Sequence, residues 1–347
     1  ERARLLAVEE GRRSVILSLV SSVASSYIRL LNLDEQLRIA RKTVKSRQET
    51  LQLFQLQLEA GVVSELEVSQ VRSELELAKT RVPQVEREIA LLENSLSILL
   101  GQNPGPITRS RNFNTLSLPP VPAGLPSELL ERRPDIRAAE QQLVAANALI
   151  GVARTQYFPS ISLTGLFGFV SDELSDLFGS SSRIWNYHSG LLGPVFDGGR
   201  IAGNIRVTEA AQRQAVIEYQ QAVQTAFREV DDALIQNRKT REIVTAQKRQ
   251  LNALRDYARL ALLRYDEGQV SYIEVLDSER RLFDAELSYA ITRGDVYIAL
   301  VNVYKSMGGG WVEKAEQTAN AMDGSRETSG GQQSAGNQTP SGETVKG

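Results

Sequence analysis

The sequence predicts a mainly α-helical protein that carries one transmembrane β hairpin. Two observations lead to this prediction. Apolar and charged residues recur at helical spacing through two pairs of segments that are too long for ordinary globular packing. Between the pairs, the pattern changes to alternation over two runs of about ten residues, which is the span of a tilted transmembrane strand. The predicted architecture therefore joins long helical hairpins to a membrane-embedded hairpin.

Composition excludes several classes of function. The 347 residues include no cysteine, so disulfides and thiolate chemistry are absent. The 40 basic and 42 acidic residues are dispersed along the chain and give a net charge of −2. Binding to phosphates needs a concentrated positive surface, so we expect no nucleic-acid partner.

The sequence does not contain about eighteen consecutive apolar residues, the length that a membrane-spanning helix needs. Strands or a surface helix are therefore the expected membrane contacts. The chain begins at Glu1 inside a helical pattern, without an initiator Met or a signal peptide. We interpret it as a fragment, so the absence of an export signal does not indicate location.

The first helical pair runs from Arg2 to about Ala60 and from Val63 to about Leu100, and its helices meet at Gly61. At 1.5 Å per residue these helices would be about 90 Å and 57 Å long, as in coiled-coil arms. The second pair runs from about Arg200 to Glu267 and from Val270 to Met307.

The two pairs have the features of an internal repeat. A shift of 207 residues places Gly61 on Gly268 without any gap. The same shift superimposes Val63 on Val270, Ser64 on Ser271, Glu67 on Glu274, Val68 on Val275, Leu75 on Leu282, Ala78 on Ala285 and Gly101 on Gly308. We interpret the pairs as copies. The alternative is two unrelated hairpins with similar turns.

Composition divides the rest of the chain. The predicted segments are 1–102 (first-repeat helical hairpin), 103–126 (linker or equatorial segment), 127–154 (second-repeat helix), 155–198 (two strands and a loop), 199–312 (second-repeat helical hairpin) and 313–347 (tail). The linker is rich in Pro, Ser and Asn. Ser127 is the expected cap of the helix that follows, and Pro134 should bend that helix or mark its effective start. The tail is rich in Gly, Ser, Gln and Thr, so we expect disorder unless a partner orders it.

The strands are predicted at Ser160–Phe169 and Trp185–Phe196. Residues 171–184 between them are polar, as in an extracellular loop, and Trp185 and Tyr187 are the expected aromatic residues of the membrane interface. The alternative is a hairpin packed on a soluble core. Helices of this length could not enclose such a hairpin, which favours the membrane interpretation.

Two strands cannot close a barrel, and open edges in hydrocarbon leave backbone groups unpaired at several kcal/mol each. Strands from several chains must therefore join. If an upstream segment carried a second strand pair, each chain would supply four strands, and a closed ring of three chains would have twelve.

Enzymatic sites have little support in the sequence. The single histidine, His188, lies within a predicted strand and is expected to be a barrel-wall side chain. A hydrolase triad therefore has no suitable histidine, and a metal site with several histidines cannot form. Gly198 and Gly199 lack the lysine of a phosphate-binding loop. We expect no catalytic residue, no cofactor and no bound metal.

Four runs of sequence are distinctive. They are GLPSELLERRPDIRAAEQQLVAANALIGVARTQYFPSISL (124–163), GPVFDGGR (193–200), YDEGQVSYIEVLDSERRLFDAELSYA (265–290) and MGGGW (307–311). In combination they resemble the TolC-like outer membrane factors. The chain is most similar to the lipoprotein branch that works with resistance-nodulation-division transporters. The resemblance extends over essentially everything up to Trp311.

The resemblance implies a homotrimer in the outer membrane of a Gram-negative bacterium, extending into the periplasm. It implies a shared 12-stranded β-barrel in outer-membrane lipid and a trimeric periplasmic α-barrel with its tip at Gly61 and Gly268. The implied partners are a periplasmic adaptor protein and an inner-membrane resistance-nodulation-division transporter. A lipidated cysteine would lie upstream of Glu1.

The resemblance also implies a periplasmic gate. The positions that match the family's constriction are Glu274 and Asp277, which lie three residues apart on one helix face. Threefold symmetry would bring six carboxylates together, a ring that favours cations. Arg280 is placed to pair with Asp277, and Tyr265 matches a position that links neighbouring hairpins. The alternative is that these residues form ordinary solvated helix surface.

The predicted function is a passive export conduit for drugs or other small molecules in a tripartite efflux system. Two alternatives remain open at this stage: a soluble coiled-coil scaffold protein, and the outer-membrane duct of a protein secretion system.

Overall fold

A computed structural model describes residues 1–110, 112–119, 130–176 and 178–309. The predicted cap at Ser127, Trp311 and the predicted tail at 313–347 lie outside these residues. The helices are α1 (Arg2–Glu59), α2 (Glu65–Leu99), α3 (Pro134–Thr155), α4 (Arg200–Asp266) and α5 (Tyr272–Ser306), and the strands are β1 (Ser160–Phe169) and β2 (Arg183–Leu192). The described part is thus mainly helical, as predicted.

The chain forms two compact units. The first contains Glu1–Gly11 and Asp135–Gln224, and the second contains Arg12–Pro134 and the chain from Thr225 onward. The β hairpin belongs to the first unit. Both interhelical turns, at Gly61 and at Gly268, belong to the second.

The two turns have the same local structure at positions 207 residues apart. Gly61 has φ 72° and Gly268 has φ 71°, a left-handed conformation that glycine adopts without steric cost. The N–H of Gly61 donates to the carbonyl of Leu58, and the N–H of Gly268 donates to the carbonyl of Tyr265. The following helices, α2 and α5, both have 35 residues and begin after a serine N-cap. The same turn chemistry therefore ends and restarts both helical pairs.

Two sequence motifs occur at helix ends. Pro134 occupies the first position of α3, where its missing N–H is not needed, so the proline marks the start of this helix. The adjacent Arg133 is buried. It donates to the carbonyl of Ser306 at 3.0 Å and pairs with Glu229 at 2.7 Å. In the FDGGR run, the Asp197 carboxylate accepts N–H groups of Gly199 and Ile201 at the start of α4.

The strands form an antiparallel two-stranded sheet in which Ser160 pairs with Leu192 and Phe169 with Arg183. The bounds of β1 are those predicted. The bounds of β2 were wrong at both ends, because Trp185–Phe196 was expected and Arg183–Leu192 is found. Pro194 explains the early end, since it has no N–H to donate to the ladder.

Paired residues lie on the same face of the sheet, so the register separates the hairpin into two faces. One face carries most of the exposed large apolar and aromatic side chains, beside the exposed Ser189 and Arg183. They are Ile161, Leu163, Phe167, Phe169, Trp185, Tyr187 and Leu191. The other face carries mainly serine, threonine, glycine, asparagine and His188, which pairs with Thr164. Three exposed apolar residues also lie on this second face and break its polarity: Leu166, Ile184 and Leu192.

One helix, α1, contains an 18-residue window that is apolar enough to cross a membrane by length and composition, with a mean hydropathy of 1.6. Serines interrupt the apolar residues of α1, so no run of consecutive apolar residues indicated this window. Core helices and signal sequences share this length and composition, so the window does not by itself indicate a membrane span.

Four helices of the second unit share a core beside the two turns. Its buried members are Phe54, Val68, Val71, Ala261, Tyr272, Val275 and Leu276. They come from α1, α2, α4 and α5, so both helical pairs contribute. This shared core holds the predicted gate residues on a packed scaffold.

Candidate functional site

Three aromatic rings pack at the turn end of the second unit. The ring of Phe54 lies 4.2 Å from that of Tyr272 and 6.4 Å from that of Tyr265, and the two tyrosine rings are 4.9 Å apart. Burial, followed by the charges of Glu279 and Tyr265, raises the pKa of Tyr272 well above its usual range. Burial and the charges of Glu67 and Asp266 also raise the pKa of Tyr265. Tyr265 therefore packs within its own chain and remains half-buried at the surface.

Glu67 and Glu274 occupy equivalent positions but have different partners. Ser64 and Glu67 form a complete capping box, in which the Glu67 carboxylate accepts the Ser64 N–H at 2.8 Å. Ser271 also caps its helix by accepting the N–H of Ile273 at 3.3 Å. Among the described residues, however, the carboxylate of Glu274 makes no hydrogen bond or ion pair. The first carboxylate is thus used by the helix cap, and the second is available.

Asp277 is held by two arginines on its own helix. One oxygen pairs with Arg280 at 2.7 Å, three residues on, and the other pairs with Arg281 at 2.7 Å, four residues on. Asp277 is 28% exposed, whereas both arginines are at least half exposed. The pair with Arg280 had been predicted from spacing. Arg281 was missed, although its i+4 spacing carries the same signal.

Glu274, Asp277 and Arg280 line one groove of about 490 Å³. Its other walls come from α2, with Gln70 and Ser73, and from α4, with Tyr257. The predicted acidic residues therefore share one open surface. This arrangement can contact a solute or a partner helix.

A buried arginine connects three helices beside this groove. Arg47 of α1 is 5% exposed. It donates to the Glu74 carbonyl of α2 at 2.5 Å and pairs with the Glu74 carboxylate at 3.1 Å. Its guanidinium lies 5.5 Å from the ring centre of Phe283 of α5. On α5, burial raises the pKa of Glu279, although Arg47 acts in the opposite direction. This cluster was missed because its members are far apart in sequence.

The predicted interface residues, Trp185 and Tyr187, stack with ring centres 6.1 Å apart and are 68% and 72% exposed. They lie near the loop end of the hairpin. At the opposite end, Tyr157, Phe158 and Phe196 are also exposed. Aromatic residues thus flank both ends of the apolar strand face, as at the two interfaces of a membrane barrel. The second group was missed because Tyr157 and Phe158 precede β1, and because the predicted second strand included Phe196, which lies beyond the end of β2.

Comparisons with known proteins identify relatives over most of the chain. The model of a family described as outer membrane efflux protein matches residues 1–102 and 125–309. Cation efflux system protein CusC of Escherichia coli O6:H1 is 39% identical over 313 residues, covering 90% of this chain and 68% of that protein. Toluene efflux pump outer membrane protein TtgC of Pseudomonas putida is 37% identical over 313 residues, covering 90% of this chain and 65% of that protein.

Solved structures share the fold. A crystal structure of CusC superimposes with a TM-score of 0.80 at 37% identity, over 89% of this chain and 72% of that one. The crystal structure of the open state of the MtrE outer membrane channel of Neisseria gonorrhoeae superimposes with a TM-score of 0.80 at 31% identity, over 89% of this chain and 70% of that one. The resemblance inferred from the sequence is confirmed: this chain belongs to the outer membrane efflux protein family.

Proposed function

We propose that this chain is one subunit of a homotrimeric outer-membrane channel that exports small molecules passively. It works with a periplasmic adaptor and an inner-membrane resistance-nodulation-division transporter. The β hairpin carries the main argument. Its apolar face is exposed, Leu163 being 78% accessible, and its two strands leave outer edges that a barrel must pair. Lipid and further copies of the chain together would cover both.

Family membership favours efflux over the alternatives. Proteins named for cation and toluene efflux resemble this chain over 90% of its length, which supports an efflux channel rather than a secretion duct. A soluble scaffold would not share the fold of outer-membrane channels. Energy for transport would come from the transporter, so the channel itself needs no catalytic residue.

We assign the channel constriction to the turn end of the second unit, with Gly61 and Gly268 at its tip. Glu274 and Asp277 would face the passing solute, Arg280 would hold Asp277, and Tyr265 would contact a neighbouring hairpin. The shared groove and the half-buried tyrosine support this assignment. Opening would then be a shift in population towards the conformation that the docked partner prefers.

Reconstitution tests the proposed function. We expect the protein purified in detergent to have about three times the mass of one subunit and to form ion-conducting pores in planar bilayers. Both are measurable, by light scattering and by single-channel recording. A monomer that remains dispersed without detergent and never conducts would overturn the channel.

A further inference from the structure

The charges at the proposed constriction differ from those of a simple acidic ring. The sequence placed two carboxylates there, Glu274 and Asp277. The structure adds Arg281 to the predicted Arg280, so two guanidinium groups within one helical turn both contact Asp277 at 2.7 Å. These four side chains have a net formal charge of zero. Repetition by symmetry would keep the total at zero.

The charges are also separated in space. Asp277 with its two arginines carries one net positive charge, whereas Glu274 carries one negative charge and has no partner among the described residues. Each copy would thus present a positive and a negative group about one helical turn apart. At physiological ionic strength, where fields decay over about 8 Å, such a pair nearly cancels for a hydrated ion.

We propose that Arg280 and Arg281 set the ion selectivity of the constriction by balancing its carboxylates, so that cations and anions pass with similar ease. This inference rests on the proposed channel and on its constriction. It concerns the class of solute: this end of the channel would not filter solutes by the sign of their charge. Selection would then belong to the partner that delivers them.

The test is the K⁺/Cl⁻ permeability ratio, obtained from the reversal potential of single pores in a KCl gradient. Arg280→Gln with Arg281→Gln leaves two unbalanced carboxylates per copy, so we expect the ratio to rise roughly twofold or more. Asp277→Asn and Glu274→Gln each leave one excess positive charge, so both should lower the ratio. Asp266 and Glu267 of the turn are unchanged in every variant, and their contribution cancels in the comparison.

Lys239→Gln is the matched control. Lys239 forms an exposed i,i+3 pair with Glu242 on α4, so its removal makes the same kind of charge change away from the groove. We expect the ratio of this variant to equal that of the wild type. Exposed pairs contribute at most about 1 kcal/mol to stability, so every variant should fold, and its trimer mass verifies this.

The failures can be told apart. If the arginine double variant keeps the wild-type ratio while Glu274→Gln changes it, the carboxylates alone set selectivity and the inference is wrong. If no groove variant changes the ratio of pores that conduct normally, the constriction lies elsewhere and the inference also fails, although the export channel stands. Absence of any conductance in the wild type would overturn the proposed function itself.

Discussion

At the scale of single residues, Arg47 is one buried cation shared by two carboxylates. It pairs directly with Glu74 and attracts Glu279, but burial raises the pKa of Glu279 more strongly than Arg47 lowers it. The folded state therefore holds the Glu279 proton more tightly than the unfolded state does. Its contribution to stability is present below the unfolded pKa and is lost as the pH rises through the folded pKa.

We predict that Glu279→Gln removes this loss. The variant should melt at a higher temperature than the wild type near pH 7, and the difference should shrink towards pH 4. Thermal melts across this pH range measure the effect. Glu76→Gln is the control, since Glu76 forms an exposed pair with Lys79 and should show no such trend. If the difference in melting temperature between the variant and the wild type grew on acidification, the pKa of Glu279 would be lowered by folding rather than raised.

The two turn glycines give a second prediction. Gly61→Ala and Gly268→Ala each force an L side chain into the left-handed region, which should destabilise the turn by about 1 kcal/mol. Space is not the reason, because an added Cβ would meet nothing within 4 Å at either position. Gly151→Ala, within α3 and equally uncrowded, should instead stabilise by up to about 1 kcal/mol. If the melting temperature fell in all three variants, crowding rather than the positive φ would determine the effect of replacing glycine by alanine.

Sequence spacing identified some of these residues and missed others for physical reasons. Asp277 and Arg280 are three residues apart on one helix, so their pairing follows from helical geometry alone. Arg47 and Glu74 are joined only after α1 and α2 fold back on one another. Burial of a charged side chain depends on that packing, and no local pattern encodes it.

At the scale of elements, helix ends were more predictable than strand ends. Glycine with positive φ and a serine cap act locally, so both turns were located from the sequence. The bounds of the second strand were predicted wrongly because they depend on which residues hydrogen-bond to β1, and this pairing is not visible in the local sequence. Arg183 and Ile184 join the sheet opposite Phe169 and Gly168, although they resemble loop residues.

The two faces of the hairpin make a sharp prediction for membrane insertion. Leu163 lies on the apolar face, whereas its neighbour Thr164 lies on the polar face opposite His188. Leu163→Lys should cost about 2–4 kcal/mol on insertion if it faces the middle of the bilayer, whereas Thr164→Lys should be tolerated. Folding into lipid vesicles under increasing urea measures the difference. Equal losses in both variants would mean that the hairpin does not present one face to lipid.

At the scale of the whole molecule, the two helical pairs have similar bounds but different burial. Helix α5 has 13 buried residues and α2 only 7, although both have 35 residues. If the pairs are copies of one ancestral hairpin, the second packs mainly within its own chain. The first pair then keeps one helix face for packing against another copy of the chain. The two pairs can therefore share one sequence pattern and still have different packing partners.

That face of α2 is an apolar stripe. Its exposed members are Leu66, Leu77, Leu91 and Ile98. At about 100° per residue they lie within about 60° of one another, on the side of the helix opposite most of its buried residues. Two apolar faces on one helix indicate two packing partners, and the part of the chain that the structure describes supplies only one. A second copy is the partner that a symmetric channel provides.

We therefore predict that Leu77→Asp with Leu91→Asp breaks the assembly. The purified variant should have the mass of one subunit rather than about three, because each interface would bury uncompensated carboxylates. Glu76→Gln with Glu88→Gln changes two neighbouring side chains on the same helix without adding charge to the stripe, and it should remain trimeric. Light scattering in detergent distinguishes the two masses. A leucine variant that stays trimeric would place the subunit interface on another helix and leave the stripe for a different helical partner.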